Sequence, residues 1–159
     1  MKKSIILIIV FVLSISFSQA QNIKELIMET PSHMDPVSVG AKIIEGKNGI
    51  KTVLLKANIM KGYHIYAFVP NGEAYINSEF GIEVSEGIKL VGDWKKSAPH
   101  AYPGKPSILI YKNENEYTHQ LNFVGDIEKG ITVKCWLYYQ CCDANICFPP
   151  NKKEIKLKL

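Results

Sequence analysis

Arginine is missing from this sequence. All 19 positive side chains among its 159 residues are lysines, and they are scattered along the chain. Bidentate recognition of phosphate or guanine relies on the guanidinium fork, so nothing here resembles a nucleic-acid footprint. Helical periodicity sustained beyond about two turns is missing too, with Ile23–Met28 the best short candidate, which argues against a thioredoxin-like alternation of strands and helices. The four cysteines include no C-x-x-C knuckle and have no histidine pair beside them, so neither a metal nor any other cofactor is expected. Internal repeats and low-complexity segments are absent. What is present, 47% hydrophobic and 21% charged residues, excludes disorder and collagen-like structure and suffices for one domain with its own core.

The first twenty residues are a different kind of sequence. Lys2 and Lys3 precede an apolar run from Ile5 to Val10 that continues, broken only by serines, to Phe17, and Ser18-Gln19-Ala20 supplies small residues at both cleavage-site positions. This pattern predicts a secretory signal peptide over residues 1–20, cut after Ala20. A membrane anchor would want about 20 apolar residues. No cysteine follows the run, so a lipoprotein anchor is not indicated. Cleavage leaves 139 residues and, with two lysines gone, lowers the formal charge from +4 to +2. No later apolar run reaches spanning length, so the expectation is an exported, periplasmic protein without a membrane span, all of whose cysteines meet an oxidising compartment.

Residues 21–36, with Pro31 and Pro36, show no sustained period and read as a partly mobile lead-in. From Val37 onward the period is two. Val37–Ala41, a turn at Gly46–Gly49 and Ile50–Ala57 form a strand, turn, strand pattern, and Tyr63–Val69 is an aromatic-rich strand closed by Pro70-Asn71-Gly72. Further strands are expected at Ile82–Ser85, Ile88–Val91, Ser107–Lys112, Tyr117–Val124, Ile131–Gln140 and Glu154–Leu159. Short strands at this spacing point to an antiparallel sandwich or barrel over residues 37–159. Asp93–Pro106, which holds three prolines together with Trp94 and Tyr102, reads as a long stiffened loop, a place where function often resides.

Cys135 lies within the strand Ile131–Gln140 and shares a face with Ile131, Val133 and Leu137, as a small core residue would. It stands roughly 20 Å from Cys141 along an extended segment, while a disulfide needs Cα atoms within about 7 Å. Cys141 with Cys142 would require a strained vicinal ring. Cys142 with Cys147 suits a hairpin whose loop contains Asp143 and Asn145, both favourable in turns. A bridge closing so short a loop contributes only about 2 kcal/mol through chain entropy, against roughly 4.7 for a loop of 100 residues. Spacing alone leaves a structural staple and a working redox pair both open.

The segment Tyr139-Gln140-Cys141-Cys142-Asp143-Ala144-Asn145-Ile146-Cys147-Phe148-Pro149-Pro150 resembles the signature of the N-terminal periplasmic domain of the thiol:disulfide interchange protein DsbD. Lys61-Gly62-Tyr63-His64-Ile65-Tyr66-Ala67 is similar to a second strand of that family, and Tyr102-Pro103-Gly104-Lys105 looks like its cap-loop region. The resemblance implies an immunoglobulin-like β-sandwich whose cysteine pair relays electrons by dithiol/disulfide exchange. Carried over, the pair is Cys142 and Cys147, with Cys147 as the attacking sulfur. Tyr66 matches a site tyrosine, His64 stands where another tyrosine can stand, Tyr102 is the candidate aromatic cap, and Phe148 and Pro149 shape the hairpin wall. A protonated His64 near Cys147 would lower that thiol's pKa. Tyr63, Tyr66 and Phe68 could equally be sandwich core.

The sequence departs from the family pattern in several places. Cys141 occupies a small-residue position and so puts a possible competitor for Cys147 beside Cys142, the loop is one residue short, and His100 and Ala101 replace the acidic residues expected beside the cap. The family's membrane and thioredoxin-like domains are not in this chain. The implied partners are therefore a thioredoxin-like or membrane electron donor on a separate chain, and periplasmic disulfide-bearing acceptors of the isomerase or cytochrome c maturation type. Two readings compete with the relay: an immunoglobulin-like binding module whose hairpin disulfide only stiffens a loop, and metal handling by the clustered thiols, with His33 and Met34 near in sequence.

Overall fold

The computed structural model describes residues 26, 28–46, 50–123 and 131–158. The signal segment 1–20, most of Ile23–Met28, the turn residues 47–49, Val124 and Leu159 lie outside the described residues. Eleven strands and no helix are found among the described residues, and every strand pairing is antiparallel.

One sheet takes β1 (Val37–Glu45), β2 (Lys51–Ile59), β8 (Glu114–Phe123) and β5 (Ile88–Lys96), in that order. A second takes β11 (Asn151–Lys158), β9 (Thr132–Tyr139) and β4 (Glu79–Val84). Strand alternation sends Val133, Cys135, Leu137 and Tyr139 of β9 inward, where they share one core with Val53, Leu55 and Ala57 of β2 and Tyr117 and Leu121 of β8. This is the sandwich that the period-two pattern predicts. On the outer face of β9, Trp136 lies so close over Gly81 that a Cβ at that position would stand 1.9 Å from its Cε2.

The third sheet, β10 (Cys141–Cys142), β3 (His64–Phe68), β7 (Lys105–Tyr111) and β6 (His100–Tyr102), has a different task. Its strands present one face to the main core and the other to a second, smaller one. Ile65, Tyr111 and Cys141 belong to the main core, whereas Tyr66, Ile108, Ile110 and Cys142 join Val69 in the smaller, against which Tyr75 and Tyr102 pack. Of the candidate site residues, Tyr66 and Cys142 belong to this second cluster and Tyr102 packs on it.

Two expectations change. Asp93–Pro106 is not one long loop: β5 runs on to Lys96 through a register shift between Val91 and Lys95, and β6 then pairs with β7 across a turn at Pro103-Gly104. Gly104 takes φ +79° there, and the prolines are tolerated because they lie in turns, between strands or near a strand's start. Phe68 is not core, being 51% exposed at the end of β3. The described part of the lead-in is tied to the sheets: Asp35 meets Lys153 Nζ at 2.5 Å, Met60 N donates to Pro36 O at 2.8 Å, and His33 Nδ1 lies 3.3 Å from the Tyr63 hydroxyl.

Candidate functional site

β10 lies against β3, with Cys141 opposite Ile65 and Cys142 opposite His64. Beyond Cys142 the chain turns within four residues. Asp143 drives that turn, because its Oδ1 accepts the backbone N–H groups of Asn145 (2.7 Å) and Ile146 (2.8 Å), as a turn aspartate does. Asp143 N donates to Ile146 O at 2.9 Å, and Phe148 N donates to Cys141 O at 2.8 Å. Between these two hydrogen-bonded pairs Cys142 and Cys147 face each other as a close, non-hydrogen-bonded pair. Their Cα atoms are 4.0 Å apart and a disulfide joins them. The two residues differ in exposure: Cys142 is 1% exposed, whereas Cys147 is an exposed residue.

Tyr66 governs the buried side of the bridge. Its hydroxyl donates to Cys142 Sγ at 3.3 Å, stands 4.0 Å from Cys147 Sγ, and lies 3.3 Å from His64 Nε2. The ring is fixed by Tyr75, stacked at 4.5 Å with 19° between planes, while Tyr102 lies 5.1 Å from His64 and 6.4 Å from Tyr66 between ring centroids. The loop carrying Tyr75 is held by Ile76 N donating to Gln140 Oε1 and Val69 N donating to Asn77 Oδ1. Burial, with Tyr75 and Tyr102 adding to it, pushes the Tyr66 phenol well above its ordinary pKa, so it stays a hydrogen-bond donor. Burial lowers the His64 pKa, against an opposing pull from Asp143. An imidazolium beside Cys147 is therefore not what the structure presents: His64 is driven toward its neutral form and reaches the sulfurs through the Tyr66 hydroxyl.

Cys142, Cys147, Tyr66, His64 and Tyr102 thus come together. Cys141 does not join them. Alternation turns its side chain into the main core, where burial raises its pKa to about 12. Phe148, whose backbone N–H donates to Cys141 O, packs its ring on Tyr63 at 6.2 Å. Cys135 is fully buried, and burial raises its pKa to about 12 as well. Sequence reasoning missed Tyr75, since a loop residue carries no periodic signal. It named Asp143 only as a turn former. No cluster of three or more histidine, cysteine or acidic groups able to hold a metal occurs among the described residues.

The sequence model of the thiol:disulfide interchange protein DsbD, N-terminal, matches residues 33–159. The chain belongs to the DsbD N-terminal domain family. Its antiparallel sandwich is the family's immunoglobulin-like fold, and its chemistry is that of a thiol–disulfide exchange domain with a disulfide-forming cysteine pair. Among solved structures, the N-terminal periplasmic domain of ScsB from Proteus mirabilis superposes with a TM-score of 0.55 at 20% identity, covering 82% of this chain. This chain spans about half of that one, 49%. The Neisseria meningitidis DsbD N-terminal domain in the reduced form gives 0.44 at 17% identity, over 74% of this chain and 82% of the other. No curated protein matches.

Proposed function

We propose that this domain is a periplasmic electron relay working through Cys142 and Cys147. The observation that carries the proposal is the asymmetry of the bridge: it joins an exposed residue, Cys147, to a buried one, Cys142, whose sulfur accepts a hydrogen bond from a tyrosine hydroxyl. A thiolate of a dithiol donor attacks Cys147 Sγ and bonds to it. The Cys142–Cys147 bond breaks and its electron pair passes to Cys142 Sγ. The donor's second thiolate then displaces Cys147, leaving the donor oxidised and this domain a dithiol, richer by one electron pair. Outward transfer reverses the logic. Cys147 as thiolate attacks an acceptor disulfide, and Cys142 attacks Cys147 Sγ to release the reduced acceptor and close the bridge.

A thioredoxin-like or membrane-bound dithiol protein suits the donor role, and exported isomerases or cytochrome c maturation proteins suit the acceptor role. Tyr102, packed against His64 at the edge of the second core, suits a cap that a docking partner displaces.

Mass-tagged alkylation across a glutathione redox series tests the relay. The expected result is reversible opening of the Cys142–Cys147 bridge within that series; a bridge still closed below about −300 mV would mark a structural staple and overturn the proposal. In cells, Cys142→Ser should accumulate a mixed disulfide through Cys147. No adduct from that variant would count equally against it.

A further inference from the structure

Tyr66 has one phenolic proton and three neighbours able to take it: Cys142 Sγ at 3.3 Å, Cys147 Sγ at 4.0 Å and His64 Nε2 at 3.3 Å. Where that proton goes decides which sulfur is best supported as an anion. We infer that His64 is a positioning residue for the exchange: its Nε2–H donates to the Tyr66 oxygen and so commits the phenolic proton to Cys142 Sγ, making Cys142 the sulfur that leaves and returns as thiolate. The inference rests on the relay proposed above and adds a residue that acts on Cys142 only through Tyr66.

Two considerations support it. A neutral imidazole donates through one nitrogen and accepts through the other, so a bare Nε2 would compete with sulfur for the phenolic proton, whereas a protonated Nε2 frees and polarises it. The groups around His64 fix the ring: Tyr66 on its own strand meets it edge-on at 87°, Tyr102 packs from β6, Cys142 is its partner on β10, and Asp143 acts electrostatically from the hairpin. Burial outweighs Asp143, so the imidazole works as a dipolar donor and not as a charge.

The second consideration is the need for such a donor. Cys135 and Cys141 are as buried as Cys142, their sulfurs meet backbone groups, and burial raises both to about 12. A thiol left in that state is a poor leaving group near neutral pH. The hydroxyl of Tyr66 distinguishes Cys142 from them. When the bridge opens, the electron pair arriving on Cys142 Sγ turns a neutral hydrogen bond into a charge-assisted one, about twice as strong.

The test is the thiolate titration of Cys142 in a reduced Cys147→Ser background. It is read by ultraviolet absorbance over roughly pH 5 to 11, with the Cys142→Ser, Cys147→Ser double variant subtracted. Tyr66→Phe and His64→Phe should each raise the midpoint by about one unit, leaving about tenfold less thiolate below it. His64→Gln, which keeps an N–H donor, should restore most of that loss. A His64→Phe midpoint equal to the parent's, or a His64→Gln midpoint displaced as far as that of His64→Phe, would overturn the inference. Should the variants fail to fold, nitrogen NMR of His64 in the unmutated reduced protein decides instead: an Nε2–H tautomer is expected, and an Nδ1–H tautomer refutes it. Failure of the relay itself appears separately, as a bridge that glutathione cannot open.

Discussion

Cys141 and Cys142 are chain neighbours whose sulfurs lie on opposite sides of β10, the first in the main core beside Ile65 and Tyr139, the second in the smaller cluster with Tyr66. The peptide between them separates an inert thiol from one that belongs to the bridge.

Cys141→Ala should therefore leave the bridge intact and its opening potential unchanged, while costing about 1 kcal/mol of stability, as loss of one buried heavy atom does. Denaturant unfolding and the glutathione series check the two halves. In the native protein, Cys135 and Cys141 should also resist alkylation near neutral pH, since burial holds both at about 12 and leaves little thiolate. Rapid native labelling at either position would contradict the placement.

Gly81 and Trp136 make a second prediction. A methyl at Gly81 would meet the indole at 1.9–2.3 Å, so Gly81→Ala should destabilise by about 1–3 kcal/mol through overpacking. Adding Trp136→Ala removes the clash, and the double variant should be more stable than the sum of the single effects predicts. Thermal unfolding of the four proteins closes the cycle, and simple additivity would argue against the contact.

The hairpin turn should loosen in acid. Asp143 has its pKa depressed by the backbone N–H groups of Ile146 and Asn145 that it accepts, with His64 adding a smaller pull. A depressed folded value means that the turn's stabilisation is fully present above the unfolded value of about 3.9 and is lost as pH falls through the folded one. Amide exchange at Asn145 and Ile146 should show this loss, and Asp143→Asn should remove its pH dependence.

His64 acts at a higher pH. Its folded pKa is lowered by burial, so the unfolded chain binds the extra proton more readily. Stability is complete above the unfolded value of about 6.5 and declines as pH falls from there toward the folded value. His64→Gln should flatten that limb of the stability curve. A curve that keeps its slope in this window would place the titration elsewhere.

Much of this fold is written in alternation. Thr132–Tyr139 alternates strictly between buried and more open residues, and Val37–Glu45 and Lys51–Ile59 send Val37 and Val39, and Val53, Leu55 and Ala57, to one core, because one face of each strand must be buried. The bridge is legible for another reason, that its two cysteines are near in sequence and need only a hairpin. What alternation does not reveal is contact between distant segments. Tyr75 reaches Tyr66 from a loop without period, and Tyr102 reaches His64 because β6 pairs with β7 and β7 with β3. β6 itself was hidden by prolines that edge positions and turns tolerate.

The hydrogen bonds on either side of the bridge, from Phe148 N to Cys141 O and from Asp143 N to Ile146 O, do not involve sulfur. Neither they nor the pairing of β10 on β3 is made by the S–S bond. The hairpin is thus defined by backbone hydrogen bonds as well as by the bridge, and amide exchange at Asp143 and Phe148 should be alike in the oxidised and reduced protein. A hairpin held in this way lets a partner distinguish the two forms at the sulfur atoms themselves.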